Sequence, residues 1–152
     1  MLDKIVEKTK ERVSETKKVN SLDRLKYKIL NIEVKFNYPF KKALSSDDIA
    51  IIAEVKKASP SKGLIAENFD YVSIAKEYEA AGASAISVLT EPYFFQGSDD
   101  YLKEIAKNVK IPVLRKDFVV DEYMIYEAKL LGASAVLLIA AILSDEQLEQ
   151  YL

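Results

Sequence analysis

The chain contains neither cysteine nor histidine. Without cysteine there are no disulfides, no thiolate nucleophiles and no cysteine-held metals. Without histidine there is no Ser-His-Asp triad, no imidazole acid–base chemistry and no His-ligated metal. Any catalysis therefore falls to Lys, Glu, Asp, Ser or Tyr. A dominant charge sign is missing too: 22 Lys+Arg stand against 24 Asp+Glu, for a net charge of -2. That leaves no broad basic field of the kind that counterion-release binding to nucleic acid requires. Long apolar runs are also absent. The longest, Ala133 to Leu143 with Ser134 inside it, falls far short of the ~20 residues of a membrane span and reads instead as a buried strand. No apolar signal segment opens the chain. These absences predict a cytoplasmic protein with no nucleic-acid, membrane or metal partner.

What is present is enough for one core. The chain has 152 residues and 49% hydrophobic content, and a domain of ~150 residues removes roughly 70% of its unfolded surface from water. Residues 1–48 read as a helical extension. Leu2, Ile5, Val6 and Val13 share one face amid Lys, Arg and Glu, and a second amphipathic stretch from Ser21 to Lys35 carries Leu22, Leu25, Ile29 and Ile32 at spacings of three and four. Tyr38-Pro39-Phe40 then breaks the pattern.

From residue 49 to 152 the character changes. Apolar runs at Ile51 to Val55, Ala85 to Leu89, Ile111 to Leu114 and Ala135 to Ile139 are each followed by a helix-length amphipathic stretch. The segment Gly82-Ala83-Ser84-Ala85-Ile86-Ser87-Val88 recurs as Gly132-Ala133-Ser134-Ala135-Val136-Leu137-Leu138, a period spanning two βα units. Each Gly is placed to end the preceding helix in the left-handed conformation. Four βα units with strands apolar on both faces predict a parallel sheet covered by helices. Ser144-Asp145-Glu146-Gln147 reads as a capping box opening a last helix, which has barely two turns before Leu152. A full (β/α)₈ barrel takes about 250 residues, so the expected fold is α/β, of TIM-barrel type, with an N-terminal extension and the first four βα units.

Four places carry residues suited to chemistry. In Ile51-Ile52-Ala53-Glu54-Val55-Lys56, strand alternation puts Glu54 and Lys56 on one face near the strand's C-terminal end. Barrel active sites occupy that rim, although a structural ion pair accounts for the same pattern. In Pro112-Val113-Leu114-Arg115-Lys116-Asp117-Phe118, Lys116 falls on the face of Leu114 and points where Glu54 and Lys56 point. A partly desolvated lysine beside a carboxylate can act as a general acid; the alternative is a solvated lysine at a strand end. The loop Lys57-Ala58-Ser59-Pro60-Ser61-Lys62-Gly63 is small, polar and basic, as an anion-holding loop or an ordinary turn would be. The loop Thr90 to Ser98 concentrates Tyr93, Phe94 and Phe95, either as an aromatic pocket wall or as an anchor.

Taken in order, Ile51 and Ala53-Glu54-Val55-Lys56-Lys57-Ala58-Ser59-Pro60-Ser61, then Ser87-Val88-Leu89-Thr90-Glu91 with Phe95 and Gly97, then Leu114 to Phe118, resemble the indole-3-glycerol phosphate synthases. The resemblance runs from about Ile49 to the end and, more loosely, over the N-terminal helices, which in that family cap the barrel mouth. It implies conversion of the phosphosugar 1-(o-carboxyphenylamino)-1-deoxyribulose 5-phosphate to indole-3-glycerol phosphate, with loss of carbon dioxide and water and with no metal or organic cofactor. It further implies Lys116 as the general acid on the substrate carbonyl oxygen. Lys56 would hold an anionic substrate group, and Glu54 would position or stabilise charge. Ser59 and Pro60 would shape the binding loop, and Phe95, Phe118 and Leu137 would pack against the anthranilate ring. The second carboxylate, the asparagine and most phosphate-binding loops of that family are expected beyond Leu152, so the chain alone is expected to have negligible activity. Two alternatives stand beside this reading. One is a non-catalytic half-barrel that associates with itself or a complementary half through unpaired strand edges. The other is a different phosphosugar barrel such as phosphoribosylanthranilate isomerase.

Overall fold

A computed structural model describes residues 1–32, 37–45, 48–65 and 67–152. Two helices, α1 (Leu2–Val19) and α2 (Leu22–Leu30), open the chain, and α3 (Pro39–Leu44) follows. The helical pattern expected as far as Lys35 is observed to Leu30; residues 33–35 lie outside the described residues. The remainder runs β1 (Ile52–Val55), a small antiparallel hairpin of β2 (Ala58–Ser59) and β3 (Gly63–Leu64), α4 (Tyr71–Ala80), β4 (Ala85–Leu89), α5 (Asp99–Asn108), β5 (Val113–Lys116), α6 (Glu122–Leu131), β6 (Ala135–Val136), a 3₁₀ turn at Ala140–Ile142 and α7 (Asp145–Tyr151).

Among the described residues, β1, β4, β5 and β6 form one parallel sheet in chain order. Each crossover helix begins where the sequence supplies an acceptor for the free amides of its first turn. Asp70 caps α4 through the amide of Ser73, Ser98 caps α5 through Asp100, and Asp121 caps α6 through Tyr123. Ser144 and Gln147 form the anticipated capping box of α7. The helix ends follow the same logic. Gly132 closes α6 at φ 95°, and Gly82 follows α4 at φ 92°, a conformation that a Cβ would strain.

Alternation along the strands divides the sheet into two faces. Val55, Ile86, Val88 and Val113 point toward the helices and bury themselves with Ala75, Leu102, Ile105 and Ala128. Each fully buried Val, Leu or Ile there contributes about 1.5–3 kcal/mol. A second cluster of Val13, Leu25, Val119, Val120, Tyr123 and Met124 seats α1 and α2 on α6.

Two expectations need correction. The run Ala133 to Leu143 is not a buried strand: only Ala135–Val136 pairs, Leu137 to Ile139 are half-buried, and a 3₁₀ turn follows. Apolarity marks these residues for burial, but a strand also needs a ladder, and β6 has a partner on its β5 side alone among the described residues. The third strand also runs later than its apolar run, from Val113 to Lys116 instead of Ile111 to Leu114. This brings two charged residues into the ladder.

The first of those, Arg115, is fully buried on the helix side. Its guanidinium bonds Asp99 (2.9 Å), Thr90 Oγ1 (3.1 Å) and the carbonyl of Met124 (3.0 Å), and it pairs with Glu127 at 2.8 Å. Removing it strands several acceptors, and breaking a buried charge pair from one side costs about 3–5 kcal/mol. Arg115→Ala is accordingly expected to lower unfolding free energy by about that amount in urea titrations. A loss below about 1 kcal/mol would contradict the network's role.

Candidate active site

On the sheet face opposite the helices, β1 presents Glu54, with Lys56 one residue past its end, and β5 ends on Lys116. The register pairs Glu54 with Ser87 of β4, Ser87 with Leu114, and Leu89 with Lys116. Glu54 and Lys116 therefore lie two strands apart, roughly 10 Å of backbone separation. The lysine stem starts level with Leu89 and spans β4 to the carboxylate, which is level with Ser87. Lys56 Nζ donates to Glu54 Oε1 at 2.7 Å, and Lys116 Nζ donates to Glu54 Oε2 at 3.0 Å. All three side chains remain about one-third exposed, at 30–35%, so the group is reachable from solvent. The three residues assigned to catalysis from the sequence form one contiguous set.

Electrostatics follow from this geometry. Burial alone would push the Glu54 carboxyl up, but the hydrogen bonds and charges of Lys56 and Lys116 outweigh it and hold the carboxyl below its ordinary value of 4.5. Two ammonium groups against one carboxylate leave a net positive charge at the C-terminal end of the strands, where an anionic group would be attracted.

The end of β5 is held from behind. Asp117, fully buried, accepts from Arg12 of α1 on both carboxylate oxygens (2.9 and 3.0 Å), from Thr90 Oγ1 (2.6 Å) and from the amide of Phe118 (2.8 Å). The amide of Thr90 also donates to the carbonyl of Lys116 at 3.1 Å. Lys116 and Phe118, on either side of Asp117, are thus tied to both β4 and the N-terminal helix.

The aromatic pair singled out from the sequence also comes together: the rings of Phe95 and Phe118 lie 6.0 Å apart, tilted by 37°. Leu137 follows Ala135, the partner of Leu114, by two residues and is half-buried just past the end of β6. Ser59 and Pro60 sit in the β2–β3 hairpin. The Ser59 hydroxyl lies 3.5 Å from Ser61 Oγ and accepts from the amide of Lys62, while Pro60 is exposed. Neither residue has a polar contact with the Glu54 group.

Three features escaped the sequence reading. Arg12 reaches Asp117 from 105 residues away, which no local pattern encodes. Arg115 could have been noticed as a charge at an outward register position, needing buried partners. Ser87 Oγ is buried beside Glu54 with no hydrogen-bond partner among the described residues; a polar residue on an inward position of an otherwise apolar strand was its signal. No group of three or more metal-ligating side chains is assembled among the described residues.

The lowered Glu54 carboxyl has a pH consequence. A carboxyl depressed on folding adds stability that is present above its unfolded value and lost as pH falls through the folded one. The stability difference between the wild type and Glu54→Gln is expected to be largest at neutral pH and to shrink as pH drops through and below 4.5. Denaturant titrations over that range measure it; a difference that stays flat or grows on acidification contradicts the ion pairing.

Comparison with known proteins converges on one assignment. The family model described as indole-3-glycerol phosphate synthase matches residues 2–152. A protein named indole-3-glycerol phosphate synthase from Ruminiclostridium cellulolyticum is 55% identical over the whole chain, which covers 58% of that protein. One of the same name from Endomicrobium trichonymphae is 57% identical, again over the whole chain and 59% of the relative. The chain thus spans less than two-thirds of the length of these relatives. The family's fold is the (β/α)₈ barrel, of which the four parallel strands in chain order form a part. The chain belongs to the indole-3-glycerol phosphate synthase family.

Proposed function

We propose that this chain supplies one side of the active site that converts 1-(o-carboxyphenylamino)-1-deoxyribulose 5-phosphate to indole-3-glycerol phosphate, in the cytoplasm and without metal or organic cofactor. The observation that carries the proposal is the Glu54 carboxylate held between Lys56 and Lys116 at 2.7 and 3.0 Å. Lys116 acts as the general acid: it delivers a proton to the carbonyl oxygen of the sugar as the aromatic carbon attacks, so that the oxygen can later leave as water. Lys56 holds an anionic group of the substrate, with the benzoate carboxylate, later lost as carbon dioxide, a fitting partner. Glu54 keeps both ammonium groups aimed. Phe95, Phe118 and Leu137 form an apolar wall for the anthranilate ring, and Ser59 and Pro60 shape the loop over the sugar phosphate.

These groups provide a proton and a binding face but no second carboxylate to accept protons from the ring. Groups that act as a unit lose most of their rate when any member is missing. The reading places the missing groups in the remaining family length, which would pair with the edges of β1 and β6 that have no partner among the described residues; self-association through those edges is the competing use of the same surface.

Fluorescence of the indole product tests the reading. The chain alone is expected to turn over substrate negligibly, and the chain joined to the C-terminal remainder of the Ruminiclostridium cellulolyticum relative is expected to be active. In that completed protein, Lys116→Ala is expected to lower kcat by about 10²–10⁴-fold, the usual contribution of a general acid. Activity in the chain alone would contradict the half-site, and an unimpaired Lys116→Ala would contradict the acid.

A further inference from the structure

The Phe95 loop contains a charge that the chemistry above does not use. Glu91, two residues past the end of β4, is 0% exposed, and no lysine or arginine pairs with it among the described residues. Its carboxylate is satisfied by backbone amides: Oε1 accepts from Tyr93 (3.0 Å), and Oε2 accepts from Phe94 (2.7 Å) and Phe95 (3.1 Å). Its own carbonyl accepts from the amide of Gly97 at 2.8 Å. A buried carboxylate is expensive to desolvate, and three amide donors in an arc offset that cost only if the backbone keeps one shape.

The rest of the loop is equally constrained. Gln96 stands at φ 51°, in the left-handed region. A Cβ on Gly97 would lie 2.5 Å from the carbonyl oxygen of Leu89, so the return to β4 admits no side chain. From Glu91 to Gly97 the chain forms a ring closed by one residue's side chain and carbonyl. The Phe95 ring leaves that ring to lie beside Phe118.

We propose that Glu91 is a positioning residue for aryl recognition: its buried carboxylate sets the Tyr93–Phe95 backbone so that Phe95 presents, with Phe118, the wall that receives the aromatic part of the substrate. The proposal rests on the reading of Phe95 and Phe118 as the aryl wall. Glutamine can accept from two of the three amides, but its NH₂ must face the third as donor against donor. Glu91→Gln therefore keeps the volume and disturbs the loop.

Two readouts test this separately. Hydrogen exchange on the chain itself is expected to find the amides of Tyr93, Phe94 and Phe95 protected in the wild type and selectively released in Glu91→Gln; unprotected wild-type amides overturn the proposal. In the completed protein, Glu91→Gln is expected to weaken binding of a reduced, non-reacting form of the aryl-sugar phosphate by about 5- to 10-fold, the range of an aromatic contact, while inorganic phosphate binding stays unchanged. Equal weakening of both ligands, or no weakening with the amides released, overturns it. Should Glu91→Gln fail to fold, Glu91→Asp keeps the charge but is one methylene too short to reach all three amides, and the same ligand pair decides. If the wild-type completed protein binds no aryl-sugar phosphate at all, the functional reading fails; the contribution of Glu91 to the loop is then decided by exchange alone.

Discussion

A carboxylate held between two ammonium groups on a sheet face is the constraint on which this site depends. Glu54 can be partly buried only because Lys56 and Lys116 both donate to it, and the lysines stay close to each other only because the carboxylate lies between them. Several separate facts of the fold must hold for this to happen. Period-two alternation has to send Glu54 and Lys56 to the same side, the parallel register has to bring Lys116 level with Leu89, and the Lys116 stem has to span β4 to the carboxylate. The outcome is a patch with one surplus positive charge at the carboxyl ends of the strands, the rim on which barrel enzymes build their chemistry.

Behind that patch lies a second ionic layer with a different task. Arg115 in β5 and Asp117 one residue past its end flank Lys116 and face the helices, where they join the end of β4, α5, α6 and α1 through Thr90, Asp99, Glu127 and Arg12. Burial raises the Glu127 carboxyl above its usual range, and the neighbouring Arg115 only partly reverses this. A buried ionic cluster is commonly no more stabilising than an apolar core of the same volume. Its contribution here is placement: it fixes the backbone on both sides of Lys116, and through Phe118 it reaches the ring of Phe95, whose loop is closed by Glu91.

Much of this was legible in the sequence, for physical reasons that can be named. Alternation is a local property, so Ala53-Glu54-Val55-Lys56 and Leu114-Arg115-Lys116 disclosed which charges share a face. Caps are also local, so Ser144 with Gln147 and the glycines after α4 and α6 marked their helix ends. The β2–β3 hairpin was missed because two-residue strands have no periodicity to read. The length of β6 was overestimated because apolarity reports burial, whereas strand length depends on a neighbour. The Arg12–Asp117 bond joins residues 105 apart, and only the packing of α1 on α6 creates it.

The central claim is that Glu54 and Lys116 act as one unit, and a double-substitution cycle measures this directly. In the completed protein, kcat/KM is determined for wild type, Glu54→Gln, Lys116→Met and the double variant, with indole fluorescence as the readout. If the carboxylate works through the lysine it holds at 3.0 Å, Glu54→Gln will cost much less in the Lys116→Met background than in the wild type, what remains being its hold on Lys56. Fully multiplicative losses would mean that the two residues contribute independently, and the account of a shared site would be wrong.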